Sequence, residues 1–205
     1  MAKNTGDIIM RDRMQFTLDG NGNQTTLYGR IDTSAYVNTV AREGLAVKQV
    51  FFQLRDPAAS GLAPNTGNFS ANGDSESSTT TSVDMSALKL YMTTRAYENA
   101  SEVGIGSPDV LCIYTRNSYV AAVATGGLPA AGGGSPFQLQ EEFYGPLDLH
   151  PEGYTVVSDL LVGVAVDDWV TLASRTVEID ILVIAEPITV TTARMNEILS
   201  QAQDL

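Results

Sequence analysis

Apolar side chains along this chain recur with period two far more often than with the helical period. Met14, Phe16 and Leu18 interleave with Arg13, Gln15 and Thr17, the pattern of a strand with one face buried and the other in water. Asp19-Gly-Asn-Gly-Asn23 then predicts a turn whose Asn21-Gly22 pair tolerates positive φ. Gln24 to Ile31 resumes the extended pattern, so a hairpin is expected here. Val50, Phe52 and Leu54 alternate with Gln49, Gln53 and Arg55, with Phe51 out of phase, and Leu88, Leu90 and Met92 alternate with Lys89, Tyr91 and Thr93. Further strands are expected at Val110 to Tyr114, Ser118 to Ala124, Phe137 to Phe143, Thr155 to Val166 and Val170 to Leu172. The clearest of all sets Val177, Ile179, Ile181 and Val183 against Glu178 and Asp180.

Helical spacing is convincing only near the end of the chain. There Met195, Ile198, Leu199 and Ala202 fall at i, i+3, i+4 and i+7 after the potential caps Thr191 and Thr192. A second short helix is expected around Ser34 to Arg42. Eight or more strands with almost no helix between them predict an all-β antiparallel sandwich or barrel, not a parallel sheet with crossover helices. Asp56 to Asp84 is a Ser, Thr, Asn, Gly and Ala run, and Gly126 to Pro136 contains three consecutive glycines; both are expected to be long surface loops. The organisation expected is an N-terminal arm over residues 1–12, one β-barrel domain over 13–190, and a C-terminal helix or arm over 191–205.

Composition narrows the functional classes. The 205 residues carry 24 Asp and Glu against 12 Lys and Arg, a formal net charge of -12. Duplex nucleic acid binding rests on clustered cations, and the arginines are scattered, so direct binding to duplex is not expected. The single cysteine, Cys112, rules out an intrachain disulfide and a thiolate zinc site. No long uncharged apolar run occurs, and MAKNTGDIIMRDR lacks the apolar core of a secretory signal, so neither a membrane span nor cleaved export is read.

Candidate chemistry is sparse. His150 is the only histidine and precedes Pro151, which reads as a loop residue, and Cys112 sits between apolar neighbours like a buried, inert thiol. Gly104-Ile-Gly106-Ser-Pro108 lacks the third glycine, the strand and the helix of a dinucleotide fingerprint, and reads as a turn. Asp19-Gly-Asn21-Gly-Asn23 begins like a calcium loop, but Gln24 replaces the glycine and Arg30 replaces the bidentate glutamate. Asp167-Asp168 and Glu141-Glu142 read as solvated carboxylates. The sharpest enzymatic hint is Ile31-Asp32-Thr33-Ser34-Ala35, similar to the Asp-Thr-Gly/Ser-Ala motif of aspartic proteases, which as a single copy would need a homodimer. Its second element finds a match only far downstream, at Leu161-Val162-Gly163. Asn23, Asn68 and Asn99 match the glycosylation acceptor pattern. No cofactor, no metal site and no enzymatic activity is expected.

Three runs carry a resemblance. LYGRIDTSAYVNTVAREGLAVKQVFFQLRDP, GYTVVSDLLVGVAV and the ending VEIDILVIAEPITVTTARMNEILSQAQDL resemble the β-barrel major capsid proteins of tailless icosahedral viruses, especially the single-barrel kind infecting archaea or bacteria. The resemblance implies a jelly roll of two four-stranded sheets, standing upright in a shell and grouped into capsomers with copies of itself and other capsid proteins, hence a virion location. It transfers no catalytic residue. The chain departs from such shells in lacking a basic arm, which implies an internal membrane or a second protein between shell and genome. The stripe Met195, Ile198 and Leu199 is the candidate assembly element, on a helix too short to stand alone in water. The alternatives are an extracellular surface-layer or adhesion module, or a carbohydrate-binding sandwich with platforms from Trp169, Tyr28, Tyr91, Tyr114, Tyr119, Tyr144 and Tyr154. The homodimeric protease using Asp32 stands third.

Overall fold

A computed structural model describes residues 6–55, 83–121, 137–151, 153–169 and 172–201, with side chains placed for these apart from 83–85, 119–121, 137–138 and 199–201. The expected loops 56–84 and 126–136 therefore lie outside the described residues, except that Val83 and Asp84 already belong to a strand. The strands are β1 (Ile8–Thr17), β2 (Gln24–Ile31), β3 (Glu43–Arg55), β4 (Val83–Thr93), β5 (Val110–Ala121), β6 (Phe137–Tyr144), β7 (Tyr154–Val156), β8 (Leu160–Asp167) and β9 (Thr176–Thr189). Helix α1 (Pro146–Leu149) is a single turn, and α2 (Thr192–Gln201) follows the last strand.

Every strand pair is antiparallel, and the pairs form two sheets in the orders β1-β9-β3-β7 and β2-β8-β4-β5-β6. Leaving β6 aside, the pairing is nested: first strand with last (β1-β9), second with second-last (β2-β8), third with third-last (β3-β7), and the middle two with each other (β4-β5). A long hairpin wound round a core in this way is a jelly roll. β6 is an additional fifth strand at the edge of the second sheet.

The alternation read from the sequence explains how the two sheets close. Met10, Met14 and Phe16 of β1 and Val177, Ile179, Ile181, Val183 and Ala185 of β9 point inward. So do Leu45, Val47, Val50 and Leu54 of β3, and they meet Leu88, Leu90 and Met92 of β4 and Leu160, Val162, Val164 and Val166 of β8 in one cluster. A bulge between Val47 and Gln49 switches the inward row of β3 from Leu45 and Val47 to Val50 and Leu54, so Phe51 stands in the outward row with Gln49 and Gln53, half exposed on the outer face.

Several expectations are corrected. The turn at Asp19 to Asn23 forms as expected: the Asp19 carboxylate accepts from the Asn21 and Asn23 amides at 2.8 Å, and Gly22 takes φ +80°. It joins two sheets, however, and not two strands of one hairpin. Its backbone is bonded to the connection between β8 and β9, with Trp169 N donating to Gly22 O and Ser174 N to Asp19 O. Thr155 to Val166 is two strands in different sheets, broken at the corner Val157 to Asp159, where Thr33 Oγ1 donates to Ser158 O. Val110 to Ala121 is one strand instead of two. Of Val170 to Leu172 only Leu172 is described, and its amide closes a turn on Trp169 O. No helix forms over Ser34 to Arg42, because Asp32 and Asn38 side chains take the local amides and Asn38 bridges to Glu43, leaving turns. β1 begins at Ile8, so residues 8–12 of the expected arm are strand.

The second sheet has a small apolar cluster on its outer side as well. Tyr91, Val110 and Ile113 are buried there against Ala100 and Val103 of the segment between β4 and β5. Tyr28 and Tyr91 meet edge to face, 5.8 Å between ring centroids, and the Tyr91 hydroxyl donates to the Tyr28 hydroxyl at 2.9 Å. Gly163 lies in register between these two tyrosines, and a Cβ there would stand 2.2 Å from Tyr91 Cζ, so only glycine admits the ring. Gly163→Ala is expected to displace Tyr91 and lower the unfolding free energy by about 2 kcal/mol, read as a drop in the denaturant midpoint with an unchanged slope.

Candidate functional site

Between the sheets the described core is closely filled: Leu45, Leu90, Met92, Leu160, Val164 and Trp169 each have no exposed surface. Three cavities lie against the outside of the sheets. One of about 1000 Å³ lies on the second sheet and is lined by Thr26, Lys89, Asn99, Glu102, Thr115 and Asp167. The Lys89 amine at its floor donates to Ala100 O at 2.7 Å and to Val103 O, holding down the 3-10 turn Ala100–Glu102, and its burial lowers its pKa. Thr26 Oγ1 accepts from the Ala100 amide in the same clamp. This lysine therefore serves the architecture.

The outer face of the first sheet is different. Strands β1, β9 and β3 present Ile9, Phe51, Leu182 and Ile184 as an apolar band crossing three strands, Ile9 and Phe51 each about half exposed. Charged groups lie on both sides of the band. Toward Thr17, Arg13 Nε meets Asp180 Oδ1 at 2.7 Å, and Arg55 reaches Asp180 and Glu178 at 3.4 and 3.6 Å. At the other end the Lys48 amine joins Asp7 and Glu186 at 2.8 and 2.9 Å. A cavity of about 650 Å³ lies over Arg11, Arg13, Phe51, Gln53, Asp180 and Leu182. A smaller one, about 200 Å³, lies between Phe51 and the exposed Phe143 and Leu147. Sequence reading missed this band because its residues are scattered over three strands; Phe51, out of phase with its neighbours, was the one visible signal.

The residues singled out from the sequence fall as follows. Helix α2 docks on its own chain: Met195 is buried against Val157 and Val190, with Ile198 partly buried beside it. Met195 thus packs against the end of its own barrel, the nearest apolar surface open to so short a helix. The Leu199 side chain lies outside the described residues. Asp32 is exposed and accepts from the Ser34 amide at 2.8 Å, a bond that lowers its pKa. Leu161, Val162 and Gly163 do pair beside it, opposite Arg30, Gly29 and Tyr28, but they add only a ladder, and the carboxylate at that corner, Asp159, is taken by Arg30 and the Thr33 amide. The protease reading gains no paired carboxylates.

His150 closes α1, its Nε2 lying 2.9 Å from Val110 O and its ring edge-on to Tyr154. Cys112 is buried, which pushes its thiol pKa up. Gly104 to Pro108 is a turn. Asp167 and Asp168 are exposed, as are Glu141 and Glu142. Trp169 is wholly buried and Tyr91 with it, which removes two of the seven aromatic platforms; Tyr144 is exposed, Tyr28, Tyr114 and Tyr154 are partly buried, and the Tyr119 side chain lies outside the described ones. Asn23 accepts from the Asp168 amide, Asn99 caps the 3-10 turn, and Asn68 lies outside the described residues. Among the described residues no three His, Cys, Asp or Glu side chains gather to hold a metal ion, and no helix is long and apolar enough to cross a membrane.

No family model and no curated protein matches the chain. Solved structures do show a distant likeness. A chain of Desmodium yellow mottle tymovirus aligns over 92% of this chain and 86% of its own, at 8% identity and a TM-score of 0.30. A turnip yellow mosaic virus chain aligns over 92% and 99% at 9% identity and a TM-score of 0.29, and the same virus at 100 K gives 6% and 0.27. Scores this low carry no weight in the argument; the jelly roll rests on the strand order itself.

Met195→Ala is expected to cost about 2 kcal/mol, measured by denaturant unfolding, because it empties the contact between α2 and the barrel end.

Proposed function

We propose that this chain is a structural virion protein, a jelly-roll subunit that assembles with copies of itself into capsomers of an icosahedral shell. The observation that carries the reading is the nested strand order closed over a filled core. Jelly rolls serve as shell subunits, as lectins and as small-molecule barrels, and fold alone does not choose among these. A small-molecule barrel needs a cavity at its mouth or centre, whereas this interior is packed with Leu, Val, Ile and Met. A lectin presents Trp or Tyr platforms, whereas the one tryptophan and Tyr91 are buried and, of the candidate platforms with described side chains, only Tyr144 is exposed. Shell subunits need neither; they need exposed apolar surface on a rigid body, which Ile9, Phe51, Phe143 and Leu147 supply.

In this reading the protein is located in the capsid, has no catalytic role and uses no cofactor. Its net charge of -12 disfavours direct contact with duplex DNA, so a membrane or a second protein lies between shell and genome. The resemblance of three long runs to the single-barrel capsid proteins of archaeal and bacterial viruses supports the same reading. Negative-stain microscopy of the purified full chain, concentrated at moderate salt, tests it: rings or shell fragments of uniform size are expected. Particles that remain single barrels at every concentration and salt, with binding to immobilised glycans, would replace it with the adhesion reading.

A further inference from the structure

A strand at the edge of a sheet presents a row of unpaired backbone N–H and C=O groups, and folds guard such edges with charge, shortness or bulges. The two sheets end at β1 and β7 and at β2 and β6. β1 carries the consecutive charges Arg11, Asp12 and Arg13, β7 is three residues long, and the register of β2 is broken between Gln24 and Leu27. β6 has none of these guards. Its eight residues run in unbroken register along β5, contain no Pro, Lys or Arg, and have no described strand on their other side. Its two carboxylates are already engaged: Glu141 meets Arg116 Nε at 3.1 Å and accepts from the Tyr114 hydroxyl at 2.8 Å, and Glu142 accepts from Gln140 Nε2 at 2.9 Å. Leu139 and Phe143, on the same face of the strand as Glu141, are 40% and 46% exposed.

We propose that β6 pairs with β6 of a second copy of the chain, antiparallel about a two-fold axis through Glu141, joining two five-stranded sheets into one. The side chains select this occupant and this register. Read outward from Glu141 the strand is nearly palindromic in character: Gln140 mirrors Glu142, and Leu139 mirrors Phe143. An antiparallel copy therefore sets Leu139 against the partner's Phe143 on one face and Gln140 against the partner's Glu142 on the other, and symmetry makes each contact twice. Only Glu141 meets its own copy, and the Arg116 beside each carboxylate balances the charge at the axis. The bare backbone edge would take any strand, but one without this mirror pattern would set Leu139 and Phe143 against polar groups. Eight residues span about 27 Å and a sheet is about 10 Å thick, so each copy covers roughly 270 Å², about a third of its share in a standard interface. The pair therefore forms at raised concentration or when repeated in an assembly.

The inference rests on the self-assembly reading above, and cysteine cross-linking of the full chain, with sedimentation velocity over a concentration series, separates the two. Residues directly opposite in an antiparallel pair have Cα atoms about 4.5–5.5 Å apart, within disulfide reach, and the native Cys112 is buried and does not compete. Glu141→Cys is expected to cross-link to its own copy under mild oxidation. Leu139→Cys and Phe143→Cys are each expected to stay uncross-linked alone, their own copies lying about 14 Å away, and to cross-link when the two variants are mixed. Leu139→Lys is expected to weaken association at least tenfold. If Glu141→Cys fails to fold for want of a partner to Arg116, the mixed pair reads the same register. Oligomers that form without these cross-links, or Leu139→Cys that links to itself, overturn the edge pairing and leave the shell reading standing. So does hydrogen exchange in which every β6 amide is already protected in the dilute chain, since the edge is then covered from within. A native chain that never associates overturns both.

Discussion

β9 is the strand on which the barrel depends. It lies between β1, from the start of the chain, and β3, and its register against β1 runs from Ile8↔Ala185 to Thr17↔Thr176. Contacts between residues so far apart in sequence repay their loop-closure entropy only if the strand contributes heavily once in place. β9 does so through strict alternation: Val177, Ile179, Ile181, Val183 and Ala185 are all buried, each larger side chain contributing on the order of 1.5–3 kcal/mol by leaving water. Because the side-chain period is two, a one-residue slip would move this whole row to the outer face. The inward row fixes the register of β1 and β3, and with it which residues the outer face presents.

The second sheet carries a different constraint. β8 places Gly163 between Tyr28 and Tyr91, and the missing Cβ lets the Tyr91 ring lie over the sheet under the segment between β4 and β5. The sheet is thus covered on both faces over part of its area, by the core inside and by this segment outside. The first sheet has no such cover among the described residues, and its outer face is the one left with an apolar band.

This difference in cover also decides what could be read from sequence. Strands buried on one face, such as β9 and the Val50 to Leu54 part of β3, announce themselves by alternation. Tyr91 alternates correctly with Leu90 and Met92, yet it is buried as deeply as they are, because burial of the outer face depends on a distant segment. The corner Val157 to Asp159 was invisible because both strands it joins turn apolar residues to the same core, so the apolar pattern runs through the break. The Asp19 to Asn23 turn was legible as a turn, but turn chemistry does not say whether the next strand stays in the sheet. The candidate surface was legible only at Phe51, an aromatic residue in the otherwise polar outward row of Gln49 and Gln53; Ile9, Leu182 and Ile184 read as ordinary strand residues until the register brings them together.

Among the described residues the barrel is packed inside and carries its apolar band outside; under the proposed shell role, that outside is where copies of the chain meet. Hydroxyl-radical footprinting of the full chain, dilute and then concentrated into its assembled form, tests this most directly. Phe51 and Ile9 are predicted to be labelled in the dilute chain and protected on assembly, while Trp169 and Cys112 stay unlabelled in both. Labelling of Phe51 that is unchanged in the assembled form, or ready labelling of Trp169 in the folded chain, would contradict it.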